Sequence, residues 1–436
     1  MAGTLIGVIK EHVIGEKRCA ITPERIADYA KLSLDVMVES GAGEAAGFTN
    51  TQLKQAGATI AKDRAELLKK ANVIVGVQPD PSHLTKQKGR IVIGMLQPFK
   101  GDAYWQKIAT KECSAFSMEL TPRTTRSQSM DVLSSQSNLA GYKAVLEAVQ
   151  HLTKAVPMMT TAAGSIKPAK ILIIGAGVAG LQAIATAKRL GAIVSAFDVR
   201  VAAKEQVESL GAKFIAVESD EQLETKGGYA KETSKAYQQK QQALLAETIK
   251  TQDIVITTAL IPGRPAPQII GAELVKSMAK GSVIVDLATL NGGNCALSEK
   301  DKTVTKHGVT IIGESNMASL LAHDASQLYS KNLFQFIQLL VQHDFNCVAE
   351  DDILQTTLLA HQGKLFGPAL GAKTTKGSSK PTRKTTKPKK VTAKAPAAKN
   401  RSTSKPSARK KTINSKDTVR RTKTPRTKTK KPTSKG

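Results

Sequence analysis

The run Ile171-Leu-Ile-Ile-Gly-Ala-Gly-Val-Ala-Gly180 restricts this chain more than any other stretch. A short apolar strand enters Gly175-x-Gly177-x-x-Gly180, an alanine-rich helix follows, and a second apolar strand, Ile193 to Phe197, delivers Asp198. Each glycine has a mechanical reason. Gly175 permits the tight turn, Gly177 lets a pyrophosphate approach the backbone, and Gly180 lets the helix pack closely on its strand. The free N–H groups at the start of that helix, around Val178 and Ala179, sit at the positive end of the dipole and form a seat for an anion. Asp198 lies 18 residues after Gly180, where a carboxylate accepts hydrogen bonds from ribose hydroxyls and repels a 2′-phosphate. The glycine pattern alone is weak, but strand, turn, helix, strand and acid together predict a bound dinucleotide. Asp198 argues for NAD; Arg200, two residues on and beyond Val199, is the residue that would accept a 2′-phosphate in an NADP site.

The rest of the chain fits that unit into an α/β protein with two Rossmann-like, doubly wound parallel sheets joined by helices. In the first third, Thr4–Ile9, Asp35–Glu39, Val73–Val77 and Ile91–Leu96 read as strands. Helical patterns at Glu24–Leu32, Gln52–Ala56, Arg64–Ala71 and Tyr104–Thr110 lie between them, the alternation of βαβ units. An alanine- and leucine-rich helix, about Ser137 to Ala155, leads into the glycine unit. Further strands follow at Lys213–Val217, Ile254–Thr258, Ser282–Asp286 and Thr310–Ile312. The loops after two of these, 257–264 and 286–294, leave the carboxyl ends of parallel strands and are expected to face the ligand, with Thr258, Ala259 and Leu260 nearest to it. The expected division is 1–136 and 137–319 for the two modules. A helix within 320–350 is expected to fold back onto the first module through Leu328, Leu333, Phe336, Leu339 and Leu340.

Charge is unevenly placed. The 436 residues carry a formal charge of +28, yet residues 373–436 hold 24 Lys or Arg against the single acid Asp417, a charge of +23. The first 372 residues are close to neutral, so basicity belongs to the tail. With Val391, Ile413 and Val419 as its only larger apolar residues, the tail has too little to bury and is expected to be disordered. Cys19, Cys113, Cys295 and Cys347 form no CxxC pair, which suits a reducing compartment. The seven histidines show no ligand spacing, and no metal site is expected. No basic segment precedes the first short strand, against a signal peptide, and no stretch reads as a membrane span.

One segment carries a more specific signal: Glu119-Leu-Thr-Pro-Arg123-Thr-Thr-Arg126-Ser-Gln128-Ser-Met-Asp131-Val-Leu-Ser134, continuing to Tyr142. Together with Thr161-Ala-Ala-Gly, the glycine unit, Gly227-Gly-Tyr-Ala-Lys-Glu232, Thr257-Thr-Ala-Leu-Ile-Pro-Gly and Gly292-Gly-Asn-Cys295, it resembles the NAD(H)-binding component of proton-translocating nicotinamide nucleotide transhydrogenase. The resemblance runs from about Leu5 to Asn346. It implies hydride transfer between NADH and NADP+, with NADP(H) held on a partner subunit and proton movement through separate membrane-spanning chains. It further implies a homodimer, peripheral on the cytoplasmic face of the inner membrane. It assigns Arg123, Gln128, Asp131 and Ser134 to the nicotinamide and its ribose, and Tyr229 to a mobile lid. The chemistry agrees, because direct hydride transfer needs no His or Cys nucleophile, only a ring held in a near-attack pose. A Gln amide suits the carboxamide, and an Arg–Asp pair would fix the loop.

Two rivals remain. Alanine dehydrogenase shares the architecture, but the lysines and the histidine that it uses for carboxylate binding and acid–base work are replaced by Gly76, Gln78 and Gln97, and Leu290 stands where a further acid would. Arg18 alone survives. That set cannot exchange a proton with an amine. An NAD-sensing, nucleic-acid-associated protein would explain the tail but not the retained loop. The tail resembles linker-histone tails in composition; it is expected to bind nucleic acid without sequence preference or anionic lipid through charge alone.

Overall fold

The computed structural model describes residues 3–81, 84–217, 235–261 and 263–370. Among these residues, seventeen strands form two large sheets and one hairpin. The first sheet contains β1 (Leu5–Val8), β2 (Asp35–Glu39), β3 (Thr59–Ala61), β4 (Val73–Val75), β5 (Ile91–Gly94) and β6 (Ser114–Ser117). The hairpin is β7 (Met159–Thr161) with β8 (Gly164–Ile166), exposed along its length. The second sheet contains β9 (Lys170–Ile174), β10 (Ile193–Phe197), β11 (Lys213–Ile215), β12 (Ile254–Thr257), β13 (Val283–Asp286), β14 (Thr303–Lys306) and β15 (Val309–Ile312). Two late strands, β16 (Leu358–His361) and β17 (Lys364–Leu365), return to the edge of the first sheet beyond β6.

The orders are β17-β16-β6-β5-β4-β1-β2-β3 and β11-β10-β9-β12-β13-β15-β14. All pairs in these two sheets are parallel except β16 on β6, β17 on β16 and β14 on β15. Each sheet therefore reverses direction once among its parallel strands, between β1 and β4 and between β9 and β12, and a crevice opens beyond the strand ends at each reversal. The central strands are buried on both faces, as their continuous apolar runs require.

A long helix, Val132–His151, precedes the second sheet and packs on the helix Val178–Arg189. It begins earlier than Ser137 because Asp131 caps it, accepting from Ser134 N at 2.9 Å. Gly141 is what permits the close approach: a Cβ there would lie 2.0 Å from the Ala179 carbonyl oxygen. The helix Ala322–Gln342 sits in the first sheet's core, with Tyr329, Leu333, Phe336 and Leu340 fully buried beside Ile6, Val8 and Phe116. The face differs from the expected one by a single residue: Leu328 is 40% exposed and Tyr329 takes the inward position. Tyr329 Oη donates to the Gly76 carbonyl at 2.8 Å, so the buried hydroxyl is satisfied.

Candidate nucleotide site

At the β9/β12 reversal the glycine unit has the geometry its sequence predicts. Gly175 has φ +98°, and a side chain there would strike Thr258 Oγ1 at 2.5 Å. Gly180 lies so close to the turn that a Cβ would fall 1.8 Å from the Gly175 carbonyl oxygen. Gly177 caps the helix N-terminus and faces open space, with nothing within 4 Å of a Cβ position. Two of the three glycines thus serve close packing, and the third leaves room beside the N–H groups of the helix start, which have no partner within the helix. That room fits an approaching pyrophosphate.

The loops after β12 and β13 close the floor of the crevice. Thr258 donates through N to Ile174 O at 2.8 Å and through Oγ1 to Gly175 O at 2.9 Å. Ala259 N donates to Asn294 Oδ1 at 3.1 Å, while Asn294 Nδ2 returns to the carbonyls of Ala259 and Pro267, both at 2.8 Å. Beneath them the wholly buried Asp286 accepts five hydrogen bonds: from Thr257 Oγ1, Ala288 N, Asn294 N, Cys295 N and Ser298 Oγ. Leu260 is left 41% exposed at the rim. Sequence reading placed Thr258, Ala259 and Leu260 here but missed Asp286 and Asn294 as the framework that shapes them. Their signal was an acid at a strand end followed by Gly-Gly-Asn.

Asp198 is 6% exposed and already engaged. It accepts from Ala176 N at 2.7 Å, so it braces the glycine turn itself. It also accepts from Arg200 N at 2.8 Å, Nε at 3.0 Å and Nη2 at 2.9 Å. Contact between this carboxylate and a ribose hydroxyl requires Arg200 to exchange part of its grip. Val199 packs partly buried beside Phe197.

Arg123, Gln128, Asp131 and Ser134 lie at the other end of the 132–151 helix, and Tyr229 lies outside the described residues. Arg123 and Gln128 are exposed. Asp131 accepts from Ser134 N and, at 2.5 Å, from Ser134 Oγ, so two of the four expected residues form the helix cap. Arg126, not assigned a role from sequence, ties the loop to distant acids, with Asp351 at 2.6 Å and with Asp352. From Asp131 to Gly141 the helix spans about 15 Å, so it is a rigid strut between this loop and the glycine turn.

Among the described residues no group of His, Cys, Asp or Glu has a metal-holding arrangement. All four cysteines are buried, and burial pushes the Cys19 thiol up to about 12. Arg18 is 3% exposed and bound to Glu16 at 2.6 Å, Gln136 and Asn316, a structural pin between elements.

Two sheets of doubly wound order, a glycine turn opening onto helix N–H groups, and an acid after the second strand define a dinucleotide-dependent oxidoreductase. The chain belongs to the alanine dehydrogenase/PNT family: residues 7–140 match its N-terminal domain and 144–368 its C-terminal domain. It is 49% identical to the first portion of NAD(P) transhydrogenase subunit alpha, a separate chain in Rickettsia prowazekii, over 367 residues, 83% of this chain and 95% of the relative. Identity to the protein of the same name from Rhodospirillum rubrum is 48% over 379 residues, 84% of this chain and 98% of the relative. The crystal structure of a transhydrogenase from Sinorhizobium meliloti superposes with a TM-score of 0.75 at 46% identity, covering 83% of this chain and 99% of that one. Alanine dehydrogenases match a similar span at 24% and 26% identity, so the chain is an oxidoreductase of the transhydrogenase branch.

Proposed function

We propose that this chain is the NAD(H)-binding subunit of a proton-translocating transhydrogenase. The nicotinamide ring of NADH supplies the hydride when bound, and NADP(H) is carried by a partner subunit. In this reading residues 137–319 are the nucleotide module, and 1–136 with the 320–350 helix form its companion. The observation that carries it is the strut: one continuous helix joins the Gln128–Asp131 loop to the glycine turn, a fixed separation along which an extended dinucleotide can lie. The residues' work is positional. Gly175, Gly177 and Gly180, with the N–H groups of Val178 and Ala179, seat the pyrophosphate; Asp198, Val199 and Arg200 face the adenosine ribose; Thr258, Ala259 and Leu260 floor the crevice. Gln128, Arg123, Asp131 and Ser134 orient the ring, and Tyr229 covers it. No proton need move on this chain during hydride transfer.

The names of the relatives imply partner subunits, since one portion of an alpha subunit is not a whole enzyme. Among the described residues no helix is long and apolar enough to cross a membrane. Membrane-spanning chains, homodimerisation and a peripheral place at the cytoplasmic face complete the proposal. The +23 tail, outside the described residues, adds a salt-sensitive hold on polyanions, either anionic headgroups or nucleic acid.

The test is reconstitution with the NADP(H)-binding subunit. Alone, the chain is expected to titrate NADH and transfer no hydride to NADP+; with the partner it transfers. Gln128→Asn and Asp131→Asn are each expected to slow transfer about a hundredfold, because a displacement near 1 Å at the reacting atoms costs that much, while NADH affinity changes less than about threefold. Full rates in both variants overturn the assignment of the loop. A chain ending at Ala372 is expected to keep NADH binding and lose vesicle and DNA binding.

A further inference from the structure

The loop 121–131 has little regular structure of its own, so its shape must be imposed. Some of the restraint is internal. Ser127 is wholly buried; its Oγ lies 2.9 Å from Thr124 Oγ1, accepts from Thr124 N at 3.2 Å and donates to the Pro122 carbonyl. The rest comes from two distant elements. Asn332, on the long helix of the first core and 8% exposed, donates from Nδ2 to the Ser129 carbonyl at 2.7 Å. Its Oδ1 accepts from Ser135 Oγ, also at 2.7 Å. One buried amide therefore bridges the loop to the first turn of the strut helix, on either side of Asp131. The second brace is ionic. Arg126 Nη1 meets Asp351 Oδ2 at 2.6 Å and Nη2 meets Asp352. Asp351 is 8% exposed and fixed by capping the helix Asp352–Thr357, accepting from Ile353 N at 2.9 Å and Leu354 N at 3.2 Å. His343 Nε2 lies 3.5 Å from the same carboxylate oxygen.

An amide on the core-facing side of a helix, next to Leu333 and close to Phe336, loses water that only good hydrogen bonds replace. Both polar atoms of Asn332 are spent on the segment carrying Gln128 and Asp131. An aliphatic residue would serve packing as well.

We infer that Asn332 and the Arg126–Asp351 pair are positioning residues for hydride transfer: they hold the backbone from which Gln128 and Asp131 orient the ring, without touching the nucleotide. This rests on the proposed role of that loop. Two clamps at different points are needed because a single tether leaves the loop free to pivot, and near-attack geometry tolerates little displacement.

The experiment uses full-length protein reconstituted with the NADP(H)-binding subunit. Asn332→Leu is expected to slow transfer about thirtyfold, Arg126→Gln and Asp351→Asn about tenfold each; Asn at 351 retains a helix cap. The Arg126→Gln/Asp351→Asn double variant is expected to be no slower than either single variant, the signature of one shared interaction. NADH affinity stays within about threefold, and fluorescence anisotropy of bound NADH falls as the ring loosens. Full transfer rates in Asn332→Leu and Arg126→Gln overturn the inference, as does a rate loss that follows only the unfolded fraction in a thermal melt. Gln128→Ala separates the two levels. If it is slow while the clamp variants are normal, the clamp alone is wrong; if it too is normal, the loop reading fails and takes the clamp with it.

Discussion

The two sheets share a central order, β3-β2-β1-β4-β5 in one and β11-β10-β9-β12-β13 in the other, and the likeness extends to side chains. In each, an acid at the end of the second strand accepts from a backbone N–H just past the first: Glu39 from Lys10 N at 2.8 Å, Asp198 from Ala176 N at 2.7 Å. In each, an arginine holds that acid, Arg64 on Glu39 at 2.9 Å and Arg200 on Asp198 at 2.9 Å. What differs is the turn. The second module runs Gly-Ala-Gly and leaves open space at Gly177. The first runs Lys10-Glu11, and Glu11 itself reaches across the reversal to accept from Val77 N at 2.6 Å and Gln78 N at 3.1 Å. Its backbone donors are thus spent on the chain's own carboxylate, which would repel a phosphate. Topology makes a crevice in both places. The turn residues decide whether an anion enters.

The largest effect expected from this comparison is at Gly180. An added Cβ would strike the Gly175 carbonyl oxygen at 1.8 Å, and backbone cannot yield as a side-chain tip does. Gly180→Ala is expected to lose about 3 kcal/mol or more in a urea melt and to abolish NADH binding. A loss below about 1 kcal/mol would break the close-packing account.

Next come the paired acids. Asp198→Asn is expected to narrow the preference for NADH over NADPH about tenfold, measured by titrating both. Glu39→Gln is expected to lower stability by about 1–3 kcal/mol, since it leaves a partly buried arginine without its partner, and to leave NADH affinity unchanged. If Glu39→Gln shifted NADH affinity as much as Asp198→Asn, the two sites would not be functionally distinct.

The smallest effect is in pH dependence. Burial pushes the Glu11 carboxyl up to about 7, against the pull of its two backbone donors. An acid whose folded pKa exceeds its unfolded value binds more protons when folded, so its contribution to stability declines as pH rises from about 4.5 to 7. Glu11→Gln is expected to flatten that decline, by at most about 3 kcal/mol. Asp351 has the opposite sign: hydrogen bonding from Arg126 holds it down at about 2, so its contribution is present above about 4 and lost as pH falls toward 2. Chemical melts at about pH 5 and 7.5 distinguish the Glu11 effect, and a flat wild-type profile would remove it.

Local pattern carried much of this molecule. Strand positions such as Asp35–Glu39, the glycine turn and its acid could be read from the residues because a buried parallel strand needs an apolar run and a pyrophosphate seat needs glycine at particular spacings. Their order in space was accessible because βαβ connections admit few arrangements. Other features had no local mark. β16 and β17 come from a segment with no strong alternation; their place beyond β6 depends on a surface that exists only once β6 is laid down. Tyr329 rather than Leu328 faces inward because the Gly76 carbonyl is there to receive its hydroxyl. Asp286, Asn294 and Asn332 act through partners 8 to 203 residues away, and a buried polar side chain is worth having only where the fold supplies its counterpart. The sequence by itself determined which turn accepts a phosphate, since that follows from the presence or absence of a Cβ. Only the tertiary structure decided what holds the ring-facing loop in place, because those hydrogen bonds join residues the chain sets far apart.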